Sequence, residues 1–339
     1  FPTSFNAAET DFESFFTASP NEFWVTGYDD ASVTIFEQPS NDVIGGDSGF
    51  LAVHLADIVF TPDGESAWVA DAGEEEGTIY GFDTSLGEAS TSIGFGSFIE
   101  RLALSPGGDT LYATSDDGIL YHYDPLFDEA YATTDLGSPM GGLAVTPDGG
   151  KVYVSLIDGT VAVVSTSSPV SFSTISVGSD PRGVAVHGDR VYVANYGSNT
   201  VSVIDTSTDA VVATISVGAG PEDVEVSPCG CFAYVVNQTD GTVSVIDTFT
   251  DSVVGSPISV GADPQSVAFA PIDELAYVTN YGDETVSVIS TITDEVLETL
   301  DLGSGGPWGV AVFPHGVGEP SASPSTPPSA ALRHNRRTR

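Results

Sequence analysis

One short phrase recurs along this chain at a nearly constant interval, and no other feature limits its fold so tightly. VYVANYG at 191–197 has relatives at FWVTGY (23–28), AWVADAG (67–73), LYATSD (111–116), VYVSLID (152–158), AYVVNQ (233–238) and AYVTNYG (276–282). The aromatic anchors Trp24, Trp68, Tyr112, Tyr153, Tyr192, Tyr234 and Tyr277 stand 44, 44, 41, 39, 42 and 43 residues apart. A unit of that length does not bury its apolar face alone, so its copies must stack on one another.

A second series runs in step with the first. DIVFTPDG (57–64), RLALSPGG (101–108), GLAVTPDG (142–149), GVAVHGD (183–189), DVEVSPCG (223–230), SVAFAPID (266–273) and GVAVFPHG (309–316) also number seven. Each of the first six precedes an aromatic anchor across a Pro, Gly or Asp turn, whereas the seventh has no anchor after it and Trp24 has no such strand before it. One unmatched copy at each end is what a closed ring requires. The expected fold is therefore all-β: a seven-bladed β-propeller of four-stranded antiparallel blades. Its C-terminal strand, about 309–314, pairs with N-terminal strands at about 23–37, which removes exposed sheet edges.

Within a repeat the order reads inner strand A (GVAV), a turn, strand B (VYVAN), a loop, strand C (TVSVIDT, 200–206) and outer strand D (AVVATISV, 210–217). Strand C alternates Val with Ser or Thr, the period of a sheet with two unlike faces. It returns as TVSVIDT at 242–248 and TVSVIST at 285–291. A parallel β-helix has a shorter repeat without paired turns. These residues resemble the YVTN family of β-propeller repeats, whose strand B motif stands here as AYVTN at 276–280. The resemblance spans about 20–316 and is strongest over 177–302; GEEEGTIYGFD (73–83) and GILYHYD (118–124) keep the pattern without the letters. It implies a propeller of the archaeal surface-layer or bacterial exported type, akin to propellers that act as lactonases or as a streptogramin lyase. Fold alone does not choose among these.

The charge is extreme, at −40. All 48 acidic residues precede residue 333, where only Arg101, Lys151, Arg182 and Arg190 oppose them. Such a body repels phosphate backbones, so nucleic acid is not an expected partner. Two explanations of the acidity stand: a halophilic protein kept from self-repulsion by salt, or a surface that holds calcium. No cofactor is expected, calcium being the one ion that the surface acids would suit. No run of 18 apolar residues offers a transmembrane segment. The chain begins at Phe1, so a removed leader and an extracellular or cell-surface location are expected. Cys229 and Cys231 make no disulfide framework.

Two segments fall outside the repeats, which occupy 20–317. Residues 1–19 hold Phe1, Phe5, Phe12, Phe15 and Phe16. They are read as an extension packed on the ring or as a docking segment for another copy or a cell-surface partner. Residues 318–339 form a Pro/Ser-rich linker with a basic tail at Arg333, Arg336, Arg337 and Arg339.

Strand direction places the D–A and B–C loops on one face, here called the top. Alignment on strand A gives a first ring of positions: Ala56, Glu100, Gly141, Arg182, Glu222, Gln265 and Trp308. The second is Asp57, Arg101, Gly142, Gly183, Asp223, Ser266 and Gly309. Two of the body's four basic residues, Arg101 and Arg182, thus fall at the channel mouth. The candidate ligand-binding set is Glu100, Arg101, Arg182, Glu222, Asp223, Gln265 and Trp308, with Met140 nearby. Such a mouth suits a small polar ligand or a carboxylate gripped by arginine, or else the arginines neutralise nearby acids and staple blade to blade. B–C loop acids, among them Asp29, Asp30, Asp71, Glu74, Glu75, Glu76, Asp116, Asp117, Asp158, Asp240, Asp283 and Glu284, form an outer rim without EF-hand or nonapeptide spacing. His54 is placed within reach of the channel, His122 far out on a strand C, and His187 and His315 in bottom turns too far apart to share a metal. There is no nucleophile elbow or phosphate loop. The pattern favours a non-enzymatic binding or assembly module; the alternative is a secreted lactonase- or lyase-type enzyme using channel-mouth acids.

Overall fold

The computed structural model describes residues 22–314 apart from 39, 48–53, 74–76, 85–87, 96, 128, 168–169, 272–273 and 304. The Phe-rich segment, the basic tail, His315 and Glu74–Glu76 therefore lie outside the described residues. Among those described, 28 strands form seven four-stranded antiparallel sheets. The inner strands, in ring order, are Pro307–Val312, Leu55–Phe60, Ile99–Leu104, Met140–Val145, Pro181–His187, Pro221–Val226 and Pro264–Phe269, each packed on the next and the last on the first. The blades are numbered 1 to 7 in that order. The fold is a seven-bladed β-propeller, as the repeats require.

Blade 1 closes the ring. Its inner strand comes from the C-terminal end and pairs with Glu22–Gly27, bringing Val310 opposite Val25 and Ala311 opposite Trp24. The Phe313 N–H donates to the Glu22 carbonyl at 2.9 Å, and the Gly309 N–H to Thr26 Oγ1 at 2.8 Å. Phe23, fully buried, stacks on Tyr277 of blade 7 at 3.9 Å and on Phe36 at 4.7 Å.

Burial explains the repeated letters. Strand B lies between two other strands and between two neighbouring blades, so its residues are buried on both faces, as in Lys151–Leu156 and Phe232–Asn237. Outer strands such as Ala210–Ser216 are mostly exposed and carry Thr, Ser and acids. The core is accordingly divided into seven wedges, one at each blade interface.

The anchors and the terminal Asn of strand B also have polar duties. Tyr153 Oη donates to Asp209 of the next blade at 2.6 Å, and Tyr234 Oη does the same to Asp294 at 2.6 Å. Asp209 and Asp294 sit in hairpin turns at φ 51° and 56°, a conformation Asp tolerates better than most residues. Lys151 reinforces the first latch, its Nζ lying 2.8 Å from both Asp209 oxygens. Asn195, Asn237 and Asn280 are fully buried and bridge strand B to strand C. The Asn280 amide donates to Thr285 Oγ1 at 3.1 Å and Ser287 Oγ at 2.9 Å, while its oxygen accepts from the Gly261 N–H at 3.1 Å. Asn280→Ala strands these groups in a dry site, and a loss of about 2–3 kcal/mol is expected, read as a lower urea midpoint. A midpoint unchanged within error would refute this role.

Candidate functional site

The mouth is built where the inner strands begin. In all seven blades the A–B pairing shifts register at this point: Ile99 pairs with Ser115 but Arg101 with Thr114, and Pro181 pairs with Asn195 but Val184 with Val193. Such a bulge re-aims side chains that a regular strand would direct elsewhere.

The second ring stitches the blades together. Asp57 accepts the Ile58 N–H and, from blade 3, the Leu102 N–H, both at 2.8 Å. Asp223 accepts the Val224 N–H at 2.9 Å and, from blade 7, the Val267 N–H and Ser266 hydroxyl at 3.1 Å. At Gly142 and Gly183 the neighbouring backbone comes so close that a Cβ would lie 2.7 Å from Arg182 O and 2.6 Å from Asp223 Cα. Close approach, rather than flexibility, explains Gly at these two positions.

The first ring divides into a charged arc and an aromatic arc. Arg182 donates to Glu222 at 2.7 Å and Asp180 at 3.3 Å, and its guanidinium lies 4.0 Å from the Tyr196 ring centroid. Gln265 is buried; its amide donates to the Asp263 carbonyl and carboxylate at 3.1 Å, and its oxygen accepts from Gln238 at 3.4 Å. Across the mouth, Trp308 stacks on Tyr28 at 4.7 Å and meets Tyr281 edge-on at 5.6 Å. Tyr28 also lies 4.5 Å from the His54 ring. Glu100, on the inner strand of blade 3, reaches the mouth with part of its surface in channel water. The structure thus brings Glu100, Arg101, Arg182, Glu222, Asp223 and Gln265 to one channel entrance and places Trp308 on the opposite arc. Met140 is buried in the wedge between blades 3 and 4.

Arg101 reaches the channel from blade 3, with the carboxylates of Asp57, Asp223, Glu222 and Glu100 acting on it. Among the described residues its guanidinium makes no ion pair or side-chain hydrogen bond; its backbone is engaged by Thr114, whose Oγ1 accepts the Arg101 N–H at 3.2 Å and donates to the Arg101 carbonyl at 3.5 Å. Burial works against its charge, but those acids more than compensate and hold it above the ordinary value. The acids respond in the opposite sense. Burial raises Asp57 to about 6, with Arg101 and two N–H donors pulling it back. Burial likewise raises Asp223, Glu222 and Glu100, opposed by Arg101 for Asp223, by Arg182 and Arg101 for Glu222, and chiefly by Arg101 for Glu100. Below the second ring lies a cavity of about 400 Å³ lined by Val59, Leu143, Val184, Val267, Phe269 and Val312, among others. Glu225 faces into it; confinement by the ring, then Asp223, pushes its carboxyl up to about 8 although its surface touches channel water.

The rim acids serve the top-face loops, tying B–C loops to D–A loops or bracing their own turn. Asp240 accepts the Ala219 N–H and Asp283 the Ala262 N–H, both at 2.7 Å, while Asp158 accepts the Thr160 N–H at 3.0 Å. Among the described residues no group of three His, Cys, Asp or Glu is arranged to hold a metal ion. Cys229 and Cys231 lie in a bottom turn, where the Cys231 N–H donates to Cys229 Sγ at 3.3 Å, and His122 is buried with its Nε2 3.0 Å from Thr134 Oγ1. Glu225 and the Tyr28–Tyr281 pair are absent from the sequence-derived set. Glu225 had a visible signal: GVAV, GLAV and SVAF carry Ala where DVEV carries an acid. The tyrosines had none, since their meeting with Trp308 depends on ring closure.

No protein-family profile matches the chain, and comparison with curated proteins finds no match. Solved structures do match. A functionally unknown protein from Desulfotomaculum acetoxidans DSM 771 aligns with a TM-score of 0.75 at 14% identity, covering 86% of this chain and 98% of that one. Kuenenia stuttgartiensis hydrazine synthase aligns at 0.69 and 18% identity over 80% and 94%. The dihydro-heme d1 dehydrogenase NirN aligns at 0.65 and 18% identity over 88% of this chain and 67% of that one. At these identities the likeness is one of fold.

Proposed function

We propose that this chain is an extracellular or cell-surface binding and assembly module of the kind its YVTN-like repeats suggest. Its top-face mouth takes a small polar ligand or a segment of a protein partner. The observation that carries this reading is the unpaired guanidinium of Arg101 under a mouth split between charged and aromatic arcs. An arginine whose guanidinium N–H groups have no hydrogen-bond partner among the described residues, facing a cavity, is a ready donor fork for an incoming acceptor. Glu100, Arg182, Glu222 and Trp308 border the approach, while Asp223 and Gln265 hold the frame. Binding to envelope fractions, or to a second copy in crosslinking and size analysis, is expected to fall about tenfold or more in Arg182→Ala and Trp308→Ala. A strict monomer that ignores envelopes would overturn the reading. The acidic body fits high salt, and its melting temperature is expected to rise from dilute buffer to molar NaCl; a flat response would count against that setting.

A second reading has its own support. Asp57 raised to about 6 and Glu225 to about 8 lie in the range useful for acid–base chemistry, within one cavity. A panel of lactones separates the two readings. Turnover by the wild type that is lost in Glu225→Gln as well as in Arg182→Ala and Glu222→Ala would establish the enzyme in place of the binder.

A further inference from the structure

The chamber below Arg101 differs from the mouth above it. Its wall sets the charged Asp57, Arg101, Asp223 and Glu225 among aliphatic and aromatic side chains, and it extends down to Pro228 in the A–B turn of blade 6. Two charged side chains that line it are otherwise unengaged. Arg101 stands at its upper end on blade 3, with its guanidinium donors unused. Glu225 stands lower, on blade 6, and among the described residues makes no side-chain hydrogen bond or ion pair. The corresponding residues in the other blades are Val59, Ala103, Ala144, Ala185, Ala268 and Ala311, so Glu225 is the sole acid at its level. Asp57 and Asp223 do not compete for this role, because each already accepts backbone N–H groups from two blades.

The charge balance selects the ligand. A simple anion would meet Arg101 but also Asp57, Asp223, Glu222 and Glu100 in a protein of net charge −40. A simple cation would find Glu225 but leave the guanidinium donors of Arg101 unfilled. A molecule with both charges satisfies both ends and adds no net charge. We infer that the chamber binds a small zwitterion, its carboxylate on Arg101, its ammonium on Glu225, and an apolar spacer against Leu143, Val184, Val267 and Phe269. An ω-amino acid or the two ends of a short peptide meets that description. A volume of about 400 Å³ lies within the range that holds ligands of this size. The inference rests on the reading of this channel as a binding site.

Titration calorimetry at constant salt tests it with 4-aminobutanoate, 6-aminohexanoate and 8-aminooctanoate, beside hexanoate and hexylamine. One of the three zwitterions is expected to bind at least tenfold more tightly than either singly charged compound. Glu225→Gln should weaken that zwitterion tenfold or more while leaving hexanoate unchanged; Arg101→Met should weaken both. An ammonium arriving at a protonated Glu225 displaces its proton. At pH 7 the wild type is therefore expected to release protons on binding, seen as a dependence on buffer ionisation heat, and Glu225→Gln to release none. Equal binding of hexanoate or hexylamine, or no binding at any chain length, would overturn the inference. So would loss of binding in Trp308→Ala with full retention in Glu225→Gln. Should the chamber fail while envelope or self-association persists, the inference falls alone; failure of both removes the binding reading as well.

Discussion

A chain ending at residue 306 is expected to lose its single cooperative unfolding transition and to self-associate. That cut removes the inner strand of blade 1, leaving Glu22–Gly27, a six-residue strand buried along its whole length, as an open edge. An unpaired, apolar edge is a template for pairing with other chains. The wedge between blades 7 and 1 also loses Val310, which packs with Phe23, Val25 and Tyr277. The blade 1–2 interface loses Phe313, whose ring meets Phe60 at 5.3 Å. A chain ending at residue 314 is the control and should melt as the full chain does. Phe23→Ala keeps the strand and tests its packing alone, with an expected loss of about 3–5 kcal/mol. A monomeric, cooperatively melting product of the 306 truncation would show that the ring is not held by its closing strand.

The second large effect is an inverted dependence of stability on pH. Most folded proteins are least troubled between about pH 5 and 8. Here the channel acids are raised, so between about 4 and their folded values the native state binds more protons than the unfolded chain. Stability therefore falls as pH rises, first through about 6 for Asp57 and then towards about 8 for Glu225. Asp63, Asp148 and Asp205 act oppositely: hydrogen bonds from Thr61, Thr146 and Ser207 lead in holding them low, and their contribution is lost as pH falls below the ordinary range. The optimum is expected near pH 4–5, with a loss of roughly 2–3 kcal/mol by pH 8. Glu225→Gln should flatten the upper part of that slope. Because its carboxyl touches channel water, the expected gain at pH 8 is only about 1 kcal/mol. Stability measured by urea at pH 5 and pH 8, at constant salt, decides it. A protein more stable at pH 8 would contradict the assignment of these groups.

How much of this was legible beforehand follows from what repeats and what does not. The anchors, the Val-rich inner strands and the orphan copies at either end were sufficient for blade number and closure, because each blade solves the same packing problem. The Asn of AYVTN could be seen as a motif, but its reason lay hidden: it bridges to Thr285 and Ser287, seven residues away at most, inside a dry wedge. Alignment of strand A placed the two arginines correctly at the mouth. It could not tell that Arg182 is held by Glu222 and Asp180 whereas the Arg101 guanidinium makes no hydrogen bond among the described residues. Arg182 stands in the first ring, where Glu222 comes to it from the next blade, and that meeting of blades is not local in sequence. The aromatic arc was invisible for the same reason, since Tyr28 and Trp308 are brought together only by joining the two ends.

The hydrogen bond between Phe313 and Glu22 sets the first and last described strands side by side at 2.9 Å. A covalent bridge of a few residues could therefore join 314 to 22, and the chain could be reopened at an exposed outer turn such as 206–209, between strands C and D of blade 5. Such a circular permutant would keep every blade interface and both channel charges. Its starting point would move while its shape stayed the same, so the present position of the termini is incidental to how this disc is held together.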